Sequence, residues 1–393
     1  ISQSTVGGQP VTTITQTSNK ASLNWQSFNI ANGETVRFIQ PSTSSVAVNR
    51  ISDPNGSKIL GNLSANGHVW LINPAGVYFG PGAQVNVAGL IASSINIPDH
   101  TDPLKLLGPL PFSNSASSVS NEGKITTTPG GYAALLGAHV SSLGSISSPG
   151  GRILLLGEKH NGSVYLNGRL DTYSLVNNAA GFVETSAARV RIDEAARVFT
   201  RNADGSSGTW LIDPTDFTIS SGSGLSTSSS IGASTLSTSL DSSSVSIATD
   251  NTSGSDSGHI YVNSAVSWSS ATQLTLSAYN DIYINAPITS SHSSGKLSLL
   301  YGQGSTSGTI SGVAADYHVN APVSLAAGAN FFSQLGSNTA NLKSYQVITS
   351  LGSQGSTTGT DLQGMNGDLT ANYALGADID ASTTTTWSTN ANY

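Results

Sequence analysis

The chain has 393 residues, of which 37% are hydrophobic and only 9% charged, with 42 glycines, one methionine and no cysteine. Its net charge is −7 and no basic cluster occurs, which argues against nucleic acid as a partner. No apolar run approaches the ~18 residues a membrane-spanning helix needs, so membrane insertion is not expected, and without cysteine an exported form must be held by packing alone. With so few charges, the polar surface must come from Ser, Thr, Asn and Gln. The hydrophobic residues arrive in β-branched alternating bursts, which favours packed strands over disorder. Met365 is the single methionine, so Ile1 is not read as a translation start. Either a signal peptide has been removed or the chain simply starts there, and a longer protein continuing past Tyr393 is expected.

In chain order, residues 1–20 are polar with scattered β-branched positions and suit the cap of a stacked fold. Leu23, Trp25 and Phe28 form the first apolar cluster. An Asn32-Gly33 turn leads into a strand over Glu34 to Gln40, a loop follows over Pro41 to Ser45, and Val46 and Val48 resume the strand. The organising stretch runs from Asn66 to Ser93. It reads as three strands, His68 to Ile72, Val77 to Phe79 and Val85 to Ile91. The breaks between them are Asn73-Pro74-Ala75-Gly76 and Gly80-Pro81-Gly82. Strands this short do not make good hairpins. They can turn corners and stack on the coil before, which predicts an all-β chain folded as a right-handed parallel β-helix with small elements outside the coil.

Pro98 to Asn114 reads as an excursion from the wall with one helical turn. A repeat then becomes explicit. Asn121 to Gly137 is echoed by Ser141 to Gly157, with Pro-Gly-Gly at 129–131 and again at 149–151. A period near 20 fits one three-strand coil, stacked at about 4.8 Å. Val164 to Leu170 and Gly181 to Val198 continue the pattern. Within the latter, Ala187 to Val198 has helix-favouring composition, but its Val190/Ile192 alternation favours strand, with Asp193-Glu194 at a turn. The Ser/Thr/Gly tract at 221–257 is expected to be a linker or a weakly ordered face. Ile260-Tyr261-Val262-Asn263 recurs as Ile282-Tyr283-Ile284-Asn285 and as Tyr317-His318-Val319-Asn320. This gives three expected units, 1–220, 221–257 and 258–393.

Candidate chemistry is sparse. The histidines His68, His100, His139, His160, His259, His292 and His318 never fall at metal-ligand spacing. Asp213 and Asp216, and likewise Asp378 and Asp380, could pair for glycoside hydrolysis or calcium. Turn capping explains them more simply. Asp256-Ser257-Gly258-His259 faintly resembles a serine-protease nucleophile segment, without a matching upstream histidine. A β-helical carbohydrate lyase or hydrolase would need charged residues converging on one face. The 15 basic and 22 acidic residues are spread along the whole chain. The Asn-Xxx-Ser/Thr triplets at Asn62 and Asn161 are the kind chance supplies in this composition.

Asn73-Pro74-Ala75-Gly76-Val77, followed by Phe79-Gly80, Ala83-Gln84-Val85-Asn86-Val87 and Gly89-Leu90-Ile91-Ala92-Ser93, resembles the secretion domain of two-partner-secretion, filamentous-haemagglutinin-like exoproteins. Arg50 to Gly67 and Gly208 to Ile219 fit the same pattern. Ala75 stands where the family often has asparagine. The resemblance implies an exported adhesin, at the cell surface or released, without catalysis or cofactor, and monomeric. It implies an outer-membrane transporter whose periplasmic receptor domains read the motif. Carried onto this chain, the motif residues are Asn49, Arg50, Asn66, Asn73, Pro74, Ala75, Gly76, Phe79 and Asn86. Some relatives capture haem or a haem carrier, which gives an alternative expectation.

Overall fold

The computed structural model describes residues 1–106, 108, 117–174, 181–222, 228–251 and 256–387. Most of its strands pair in parallel with strands one coil away, not with their neighbours in sequence. Among the described residues, three long sheets of fourteen, eleven and nine strands share one axis. Within one coil, Asn62–Ala65 lies in the nine-stranded sheet, His68–Ile72 in the fourteen-stranded sheet and Val77–Phe79 in the eleven-stranded sheet. The next coil stacks on it in register, Gln84 beside Asn62, Gly89 beside His68 and Val119 beside Val77. This is a parallel β-helix.

The core is a column of apolar rungs. Val69, Leu90, Ala133, Ile153, Val183, Trp210, Val245, Leu274 and Leu297 are paired rung to rung and all buried. Alternation along each strand sends these residues inward, and every added coil buries the apolar face of the one before. The 20-residue repeat places Tyr132 beside Arg152 and Leu136 beside Leu156. At the N-terminal end Ser2–Val6 and Gln9–Thr15 form an antiparallel hairpin, whose second strand pairs in parallel with Thr35–Ile39. This is the expected cap.

Four expectations need adjustment. The run Val85 to Ile91 is two strands, Gln84–Val87 and Gly89–Ser93, bent at Ala88 where the amide bonds to Gly67 O (2.9 Å). The excursion begins at Ser94 and lies against the wall, with a 3₁₀ turn over Pro103–Lys105. Residues 107 and 109–114, which were part of that reading, lie outside the described residues. The tract at 221–257 carries Ser230–Gly232, an α-helix over Ala233–Leu240 and Ser244–Ala248, which joins the fourteen-stranded sheet. Ile231, Leu236, Leu240, Val245 and Ile247 are buried, so sparse anchors suffice when each falls on the inner face. Residues 223–227 and 252–255 lie outside the described residues. Finally, Ile260–Val262, Ile282–Ile284 and Tyr317–Val319 stack as expected, but the coil pattern gives way after Val323–Ser324. There Gly328–Leu335 runs antiparallel to Lys343–Ile348. A two-strand hairpin, Thr309–Ile310 with Val313–Ala314, stands outside the coil.

Candidate functional site

The Asn73 to Gly76 corner joins the fourteen-stranded sheet to the eleven-stranded one. Gly76 N donates to Asn73 O (2.8 Å), which closes a four-residue turn. Glycine aside, Ser311 is the only described residue with positive φ, so Ala75 is not left-handed and the turn is of type I. Pro74 pre-sets the first central position. The Asn73 side chain is fully buried, and its Oδ1 accepts from Ala75 N (3.0 Å) while its Nδ2 donates to Ser57 Oγ (3.1 Å). Gly76 has φ of +107°, and a Cβ there would lie 2.5 Å from Ser118 O, so no other residue fits.

One coil earlier, Asp53 O accepts from Gly56 N (3.2 Å) and Asp53 Oδ1 from Asn55 N (2.9 Å). Ser57 N donates to Gly76 O (3.0 Å), which ties the two turns together. The motif corner is thus the second layer of a stacked pair.

The other motif residues separate into two kinds. Asn49, Phe79 and Asn73 are fully buried. Asn49 faces the core, where its Nδ2 donates to Ala47 O (3.2 Å) and Trp70 O (3.1 Å) and its Oδ1 accepts from the Trp25 indole (2.9 Å). Pro74, Asn66 and Asn86 are exposed, and Ala75 is half-buried. Asn66 clamps the Gln40 backbone, with Oδ1 accepting from Gln40 N and Nδ2 donating to Gln40 O, both at 2.8 Å. Arg50 points outward from the same strand as Asn49, toward the excursion. Its guanidinium donates to Asn96 Oδ1 (2.6 Å) and Ile97 O (2.9 Å) and pairs with Asp99.

Sequence reasoning missed several participants. Gln40 is buried, and its Nε2 donates to Gln16 Oε1, Ser45 O and His68 O, while its Oε1 accepts from Gly67 N (2.9 Å). Nothing in its neighbourhood marks it. His68 and Tyr132 stack at 5.1 Å with their planes 6° apart, across the intervening Gly89. Burial pushes the His68 pKa down and raises that of the Tyr132 phenol.

The acidic pairs weighed for chemistry part company. Asp216 Oδ1 accepts from His259 N (2.8 Å), and His259 Nδ1 in turn accepts from Asp281 N (3.1 Å). Both act as rungs between coils. The Asp213 carboxyl is pushed up to about 7 by burial and by the negative charges of Asp250 and Glu184, with Lys159 opposing. Asp380 Oδ1 accepts from Ser382 N (2.8 Å), a turn cap.

A family model described as TPS secretion domain matches residues 2–262. A heme/hemopexin-binding protein of Haemophilus influenzae is 49% identical over 82 residues, 21% of this chain and 9% of the relative. A second, from H. influenzae strain ATCC 51907 / DSM 11121 / KW20 / Rd, is 45% identical over 91 residues, 23% of this chain and 10% of the relative. The matched stretch thus covers 9–10% of the length of these curated relatives. Among solved structures, the HMW1 secretion domain from H. influenzae aligns with 82% of this chain and 95% of its own, at 17% identity and a TM-score of 0.47.

Proposed function

The chain belongs to the TPS secretion-domain family of two-partner-secreted exoproteins, and from that premise we propose that residues 1–220 are read by an outer-membrane transporter with periplasmic receptor domains and then nucleate the β-helix outside. The observation that carries this is the burial of Asn49 and Asn73. Their amides are spent inside the coil, where no partner can reach them. A receptor that reads these residues must therefore meet the chain while it is extended, as a strand added to a sheet edge. Folding then withdraws the same side chains into corners, and each coil offers the mould for the next. That withdrawal favours movement away from the receptor. Adhesion belongs to the later coils or to the rest of a longer protein, with no catalysis at this site, and the product is released or held at the cell surface.

The test is export of Asn73→Ala and Asn49→Ala with the transporter present, beside Lys124→Ala as an exposed control outside the motif. The buried changes should cut secretion several-fold, while each costs the purified fold about 1–3 kcal/mol for the partners left unpaired. Normal export of both would remove the proposal. Capture of haem or a haem carrier is a second reading, favoured only by the names of the two curated relatives. Titration of the purified chain with haem, followed by absorbance, and with haem-loaded hemopexin, followed by co-sedimentation, decides it; no saturable binding in either assay removes that reading.

A further inference from the structure

Residues 94–106 leave the coil after Gly89–Ser93 and lie along the outer face of the fourteen-stranded sheet, crossing its rungs, and Gly108 lies against the same face. Near their start, Lys20 Nζ donates to Asp99 O, and Arg50 holds Asn96, Ile97 and Asp99. Lys20 and Arg50 sit on the first two strands of this sheet, Lys20–Trp25 and Val46–Ile51. Ile95 and Ile97 join an apolar cluster on the outer face with Trp70, Ile72, Ile91 and Leu136. At the far end Gly108 N donates to Glu184 Oε1 (2.5 Å). Glu184 lies on the seventh strand of the sheet, Phe182–Ser186.

Glu184 is out of place for a wall residue. It faces away from the core and yet is fully buried, with its second oxygen unbonded. Burying a carboxylate is costly unless hydrogen bonds compensate it. Two of them do so here, from Ser186 Oγ (2.8 Å) and from the Gly108 amide. The second comes from a residue 76 positions earlier in the chain. The excursion therefore has no far anchor until the fifth, sixth and seventh strands have stacked.

A plain solenoid has only nearest-neighbour coupling and frays from its ends. We propose that residues 94–106 together with Gly108 form an axial latch, closing when the Glu184 strand docks and from then on making the first seven strands of this sheet open as one unit. Arg50 and Glu184 are its two fasteners. They stand five rungs apart, about 24 Å at the usual strand spacing, and do not touch. The inference rests on the fold alone and is independent of the export reading.

The experiment is the unfolding rate of the full chain after a jump into guanidinium, followed by tryptophan fluorescence, with Trp70 lying beneath the latch. Arg50→Ala and Glu184→Ala should each speed unfolding about tenfold, since both act on contacts made late in folding. The double variant should unfold no more than about twofold faster than the quicker single variant, because a latch open at one end is already open. Distant, independent sites multiply instead, to about a hundredfold, and that result overturns the proposal. Should either single variant fail to fold, a six-residue Gly/Ser insertion between Asp102 and Pro103 keeps every fastener and slackens the link. A latch predicts roughly tenfold faster unfolding for the insertion as well. An unchanged rate overturns it, since a plain surface loop tolerates lengthening.

Discussion

Trp70-Leu71-Ile72-Asn73-Pro74 and Trp210-Leu211-Ile212-Asp213-Pro214 are nearly the same text, on the third and eighth strands of one sheet. They face opposite ways. Trp70 points outward beneath the excursion, its indole donating to Tyr132 OH (2.9 Å), and Leu71 points into the core. Trp210 points into the core, its indole donating to Thr185 Oγ1 (3.2 Å), and Leu211 points out. The corner explains the flip. His68 and Thr209 occupy equivalent rungs, each preceded by a glycine, Gly67 and Gly208. Tryptophan is the third residue after Gly67 and the second after Gly208. A strand has a period of two, so one residue of offset exchanges its faces. What a tryptophan does here follows from its parity after the corner, not from the motif around it.

The sharpest way to break this comparison is to remove the two indoles. Trp210 is enclosed by stacked coils above and below, so Trp210→Ala should cost about 3–5 kcal/mol. Trp70→Ala should cost roughly half as much, because the excursion over it can settle into the space and cavity costs fall where a site can collapse. Guanidinium midpoints of the two variants decide it. Equal losses would mean that the excursion is as rigid as the coil itself.

A smaller effect is expected one rung from Trp70. Gly89 lies between His68 and Tyr132, and a Cβ there would stand 2.3 Å from His68 Nδ1 and 2.8 Å from the Tyr132 ring. Gly89→Ala must part the stacked rings and should cost about 1–3 kcal/mol. The loss should appear with a fall in the near-ultraviolet dichroism of Tyr132 and Trp70, which are hydrogen-bonded. A fall in stability with that signal unchanged would place the strain in the backbone instead.

These contrasts mark what the amino-acid sequence could convey. The coil was legible because inward positions alternate and corners carry Gly, Pro and Asn, as at Pro129-Gly130-Gly131 and Pro149-Gly150-Gly151. The Asn73 corner was legible as a turn. Its burial was not, because that depends on the Ser57 hydroxyl of the coil before. The face of Trp210 was legible in principle by counting from Gly208, and was hidden by its likeness to Trp70. The tract at 221–257 looked weak because its anchors are few, and packing depends on where anchors fall rather than how many there are. The Gly108–Glu184 contact had no signal at all, since no local rule links residues 76 positions apart.

The register also separates the two residues that follow those motifs, Asn73 and Asp213, and the difference should show in pH dependence. Asn73 is neutral and its amide is satisfied in the corner. Asp213 stands on the outer face, beside Ser186 in the neighbouring strand, with Asp250 and Glu184 as negative neighbours. Burial first, then those two charges, raise its carboxyl to about 7, against about 3.9 for an unfolded aspartate. Between pH 4 and pH 7 the folded chain therefore holds a proton that the unfolded chain has released. Stability from this group is full below about pH 4, declines as pH rises through that window and is lost above about 7. The raised Glu184 acts in the same direction. Asp213→Asn removes the titration, so its thermal midpoint should exceed that of the parent at pH 8 and match it near pH 4.5. Asn73→Ala should lower the midpoint by the same amount at both pH values, since no charge is involved. If Asp213→Asn shifted the midpoint equally at pH 4.5 and pH 8, Asp213 would be an ordinary solvated carboxylate, and the opposed facing of the two motifs would have no electrostatic consequence.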